Sequence, residues 1–140
     1  MGMLSDFYIA ARTDSPEYDC GPDFPAEERC QLRGMTPLES AGILAALRGV
    51  EDSVALMDEF ELLTPQEAEE WIYLVPQDMV DELAKLEGEK LNKVAQQSSV
   101  NNAEELPWAP EDYIALFTKL SPLAKRAKAS EKVMYLWVSL

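Results

Sequence analysis

The run Val133-Met134-Tyr135-Leu136-Trp137-Val138 is apolar at every position and includes two aromatic rings. It is too short for a buried helix and suits a strand covered on both faces, because alternate side chains then enter two apolar environments. Such a strand needs partners for its backbone N–H and C=O groups. Asp6 to Arg12, with Phe7-Tyr8-Ile9-Ala10-Ala11 inside it, has the same character. The expected core is therefore a small sheet that pairs the two chain ends.

A long helix is expected to pack on that sheet. Tyr113, Leu116, Phe117, Leu120, Leu123, Ala124 and Ala127 recur at three- and four-residue steps, which makes one apolar stripe over about five turns. Glu111 and Asp112 open this helix, and Arg126 and Lys128 close it, matching the helix dipole. Pro122 lacks the N–H that would bond back to Thr118, so a kink there, or a restart capped by Ser121, is expected with the same face kept.

Thr36-Pro37-Leu38-Glu39 combines an N-cap, a first-turn proline and a capping-box glutamate. The helix it opens should run to Arg48 and end at Gly49. A second helix is expected from Glu51, carrying Val54, Leu56, Met57 and Phe60. Others are expected from Pro76 to about Glu87, broken by Gly88, and from Glu89 until the pattern fades at Gln96 to Ser99. For Trp71 to Val75, helical spacing of Ala68, Trp71, Ile72 and Val75 competes with β-rich composition followed by Pro76, and the strand is favoured. It would be the third member of the sheet. The expectation is one helix-rich α+β domain over residues 1–140, with a sheet of two or three strands. A loop over 13–34 and a polar connection over 97–107, closed by Trp108, complete it.

The 13–34 segment is rich in Pro, Gly and carboxylates, and it is too long for an idle connection. Tyr18 and Phe24 are expected to pin it to the body. Asp14, Glu17, Asp19 and Asp23 are weak candidates for a divalent ion held through oxygen ligands, although their spacing does not match the calcium-binding loop. A solvated acidic loop is the simpler account. The chain has no histidine, which removes Ser-His-Asp and Cys-His nucleophile systems and the two-histidine zinc helix. Cys20 and Cys30 read as reduced thiols, with too few partners for a structural zinc. No cofactor motif and no catalytic motif is present, so a non-enzyme is favoured.

Charge supplies the remaining functional signal. The net charge is −14. Between Arg48 and Lys85 there is no Lys or Arg, while eleven Asp and Glu residues fall there. Phosphate contacts need a cationic surface, so nucleic acid is excluded as a direct partner, and anionic lipid would repel the chain in the same way. No apolar run approaches a membrane span, and the N-terminus lacks the form of a secretion signal, so a soluble cytoplasmic monomer or homodimer is expected. The favoured function is an acidic interaction protein that binds or inhibits a basic protein, as an immunity protein or nucleic-acid mimic does. Asp58, Glu59, Glu61, Glu69 and Glu70 are its candidate contacts, with Trp71 or Tyr73 as aromatic anchor. Against this stand two plainer readings: acidic helices keep a protein soluble, and the aromatics are core. Two alternatives remain, a divalent-metal carboxylate enzyme using the 14–28 loop, and a subunit of a larger assembly that pairs through its C-terminal strand.

From about Val75 onward, four features stand in order: Val75-Pro76 into a Leu-rich helix, a connection bearing Trp108, Leu123-Ala124-x-x-Ala127, and a closing Tyr135-Leu136-Trp137. This order resembles a group of small bacterial proteins whose function is unassigned. The resemblance covers about half the chain, and Ser98 to Asn102 departs from it. It implies a soluble bacterial α+β domain and transfers no site residues.

Overall fold

In the computed structural model, which describes residues 3–51 and 54–139, the chain ends pair as their apolar runs require. Strands β1 (Leu4–Ala10), β2 (Arg29–Arg33), β3 (Glu61–Leu62), β4 (Glu70–Leu74) and β5 (Val133–Ser139) form one antiparallel sheet in the order β2-β1-β5-β4-β3. β5 is hydrogen-bonded on both sides, with Tyr135 opposite Tyr8 on β1 and Leu74 on β4. The expected third strand is present as β4. The sheet has five strands, however, and not two or three. β2 lies inside the segment expected to be loop, and its only apolar residues are Cys30 and Leu32, alternating with Arg29, Gln31 and Arg33. That alternation is the strand period, too brief to stand out beside Pro16, Pro22 and Pro25.

Four helices pack on one face: α1 (Pro37–Arg48), α2 (Gln77–Ala84), α3 (Gly88–Asn101) and α4 (Pro110–Ala129). Phe7, Ile9, Met134, Leu136 and Val138 point toward them and meet Leu44, Met79, Leu83, Phe117 and Leu120 in the main core. The opposite face carries Tyr8, Ile72, Tyr135 and Trp137, covered by the segment between β1 and β2. Tyr18 stacks on Tyr8 at 4.2 Å and Phe24 meets Tyr18 edge-on at 5.1 Å, so this segment is a strap held by aromatic contacts. Two covered faces explain why β5 reads as a continuous apolar run.

The helix ends follow the local chemistry. Thr36 N–H donates to Glu39 Oε1 at 2.8 Å, the Leu38 N–H donates to Thr36 Oγ1, and Gly49 closes α1 at φ 70°. α4 is one continuous helix through Pro122, without a restart. Pro122 and Thr118 are both exposed, so water can take the donor's place at the Thr118 carbonyl. The helix expected from Glu51 is a 3₁₀ segment over Val54–Glu59; residues 52 and 53 lie outside the described residues.

The polar connection expected over 97–107 is shorter, because α3 continues through Asn101. Its polar end is tied inward. Asn101 Nδ2 donates to the Gly42 carbonyl at 2.9 Å, and buried Asn102 donates through Nδ2 to the Glu39 carbonyl and to Tyr113 Oη, each at 3.0 Å. Trp108 closes the connection against Tyr113, with ring centroids 5.3 Å apart. Cys20 is exposed on the strap and Cys30 is buried on the core side of β2, both as free thiols, and burial pushes the Cys30 thiol above its usual range. Among the described residues no helix is long and apolar enough to cross a membrane.

Candidate interaction cleft

Trp71 and Tyr73 alternate with Ile72 along β4, so they lie on the helix-bearing side of the sheet while Ile72 joins the strap side. β3 is only two residues long and pairs Glu61 with Leu74 and Leu62 with Tyr73, leaving Trp71 beyond its end. The result is a cleft of about 520 Å³ between β3–β4, the 3₁₀ segment and the start of α1. Trp71, Tyr73, Met57 and Pro37 supply apolar lining, and Asp58 and Glu61 supply carboxylates. The Trp71 indole N–H donates to the Gln66 carbonyl at 3.0 Å, fixing the ring while leaving it half-buried. Burial raises the Tyr73 hydroxyl above its usual range, so it remains a neutral donor at physiological pH.

The six candidate contacts separate once placed. Asp58, Glu61 and Trp71 share the cleft. Asp58 and Glu61 are exposed and form no ion pair among the described residues. Glu59 is already engaged: Arg48 reaches it through Nη1 at 2.6 Å and Nη2 at 2.7 Å, while Arg48 Nε bonds Asp78 Oδ2 at 2.9 Å. Glu70 turns to the strap side, where its Oε1 accepts from the Trp137 indole N–H at 3.0 Å. Glu69 is exposed in the turn before β4 and meets no side-chain partner among the described residues. The sequence signal for Glu70 was its two-residue step from Ile72. Nothing local marked Glu59 as the partner of Arg48.

Those hydrogen bonds from Arg48 hold the Glu59 carboxyl below its ordinary value of 4.5. A depressed folded value means that the pair's stabilisation is complete above the ordinary Glu range and is lost as pH falls through the lowered value. Arg48→Met is therefore expected to cost about 1 kcal/mol at pH 7, as a surface ion network does. In urea titrations the gap from the wild type should close as the pH is lowered below 4.5. A gap independent of pH would show that lost packing of the arginine stem, not charge, sets the cost.

The weak metal candidates are not gathered. Asp19 Oδ1 accepts from the Gly21 N–H at 2.8 Å as part of a local turn. Among the described residues no group of three or more Cys, Asp or Glu, which include Asp14, Glu17 and Asp23, is arranged to hold an ion. The C-terminal strand cannot act as a pairing edge, because β5 has neighbours on both sides; the free edges belong to β2 and β3. Comparison with known proteins gives no match: no family model fits the chain, and no curated protein or solved structure is significantly similar to it.

Proposed function

We propose that the chain is a non-enzymatic, soluble cytoplasmic protein that binds a basic protein partner at the Trp71 cleft, in the manner of an immunity protein or a nucleic-acid mimic. The observation that carries this reading is the unspent charge of Asp58 and Glu61 beside the half-buried Trp71 ring. A lysine or arginine from the partner lays its alkyl stem along the indole and places its cationic head between the two carboxylates. Net charge of −14 steers such a partner toward the chain from a distance.

Native mass spectrometry of the untagged protein, taken from its own cells at low salt, should show a bound basic polypeptide that leaves as salt rises. With that polypeptide in hand, Asp58→Asn combined with Glu61→Gln is expected to weaken binding at least about tenfold, which corresponds to about 1.4 kcal/mol. Glu67→Gln combined with Glu69→Gln, outside the cleft, should leave affinity within about twofold. Equal affinity for the wild type and the Asp58/Glu61 double variant would rule out the cleft as the contact surface.

A further inference from the structure

On the strap side of the sheet, Asp6 is a carboxylate with only 3% of its surface exposed. Its two hydrogen bonds both arrive at Oδ2, from the Tyr18 hydroxyl at 2.5 Å and from Gln31 Nε2 at 3.4 Å. Both donors are neutral, and Asp6 has no ion pair among the described residues. Anchoring the strap therefore uses one oxygen and leaves Oδ1 unbonded. That oxygen is not among the sealed, unpaired atoms, which are Tyr8 Oη, Ser40 Oγ and Ser98 Oγ. The Arg29 guanidinium stops at the shared Tyr18 hydroxyl, 3.3 Å from its oxygen, and a buried carboxylate with no cation in direct contact is costly, so the position invites one.

Asp6 lines a cleft of about 340 Å³ between the strap and the sheet, together with Leu4, Gln31, Arg33, Trp137 and Cys20. The register explains why these groups converge. Asp6 stands opposite Gln31 on one side and Trp137 on the other, and Arg33 stands opposite Leu4. Arg33 is therefore a diagonal neighbour of Asp6 on the same face, at the spacing of about 7–8 Å typical of such pairs. Arg33 is exposed and makes no ion pair and no side-chain hydrogen bond among the described residues. A carboxylate and a guanidinium thus border one cleft without neutralising each other. The Trp137 N–H is already committed to Glu70, so the edge of the buried indole that borders the cleft is apolar.

We propose that this cleft binds a small zwitterion of the free amino-acid class, with its ammonium on Asp6 Oδ1, its carboxylate on Arg33 and its side chain against Trp137. Neither a simple amine nor a simple acid satisfies both charges, so the zwitterion is favoured over each. The Gln31 amide, whose donor reaches Asp6 Oδ2, has a carbonyl oxygen free to accept from the same ammonium.

Isothermal titration of the full chain with each of the twenty standard L-amino acids, at low salt and neutral pH, tests this. At least one is expected to bind with Kd below about 1 mM, and its decarboxylated and deaminated counterparts should bind at least about tenfold more weakly. Asp6→Asn keeps an oxygen for the Tyr18 hydroxyl, so the strap stays anchored while affinity falls at least about tenfold. Arg33→Gln, on the exposed edge, should fall similarly for the amino acid and leave the amine unchanged; it carries the test if the Asp6 variant does not fold. Absence of binding by all twenty up to about 10 mM, or affinity untouched by Arg33→Gln, would overturn the assignment.

Discussion

Removal of residues 133–140 is expected to abolish cooperative folding, leaving no thermal transition by circular dichroism and no sigmoidal urea curve. Two terms add here. β5 supplies the hydrogen-bonding edge for both β1 and β4, so its loss splits the sheet into two hairpins that do not touch. An isolated two-stranded hairpin is marginal in water. Met134, Tyr135, Leu136, Trp137 and Val138 are also each at most 3% exposed. At about 1.5–3 kcal/mol per large buried side chain, their loss is comparable to the whole net stability of a domain, about 5–15 kcal/mol. A truncated chain that still melted cooperatively would mean that the helical layer holds together without the sheet, contrary to the packing described above.

Gly42→Ala should destabilise the protein by about 3 kcal/mol, lowering Tm by roughly 10 °C for a chain of this size. The sign is informative, because Gly to Ala within a helix ordinarily gains close to 1 kcal/mol. Here a Cβ at position 42 would lie 2.1 Å from Asn102 Oδ1 and 2.8 Å from Asn102 Cγ. Asn102 has little freedom to retreat, since its amide is held by the Glu39 carbonyl and the Tyr113 hydroxyl. Asn102→Ala alone is expected to cost about 2 kcal/mol by stripping these buried groups of their donor. Combined, the two changes should cost less than their sum by about 2 kcal/mol, because shortening residue 102 removes the obstacle to the new methyl. Strict additivity in that double-mutant cycle would show that the strain at position 42 has another source.

The parts of the fold legible beforehand were those whose cause is local. Thr36, Pro37, Glu39 and Gly49 specify both ends of α1, and the stripe from Tyr113 to Ala127 specifies α4, with no reference to the rest of the chain. β1 and β5 announced themselves because both of their faces are covered. The missed elements depend on distant partners. β2 carries just Cys30 and Leu32 on its core side and becomes a strand by pairing with β1, while the end of α3 looks solvated until Asn101 and Asn102 find α1 and Tyr113.

The candidate site was legible to the same extent. Counting carboxylates located the acidic flank and could not tell which of them were spent: Glu59 on an arginine eleven positions away, Glu70 on an indole 67 positions away. The pairing of Asp6 with Arg33 across one cleft exists solely through strand register, which no periodicity in either segment encodes.

The middle strand of the sheet comes after its four companions in the chain. While a ribosome is still adding it, the β1–β2 and β3–β4 hairpins have no shared neighbour, and the apolar faces that belong on either side of β5 stay open. Vectorial synthesis therefore gives these strands no early native sheet: closure waits until β5 has been added and joins it to β1 and β4 in one long-range step.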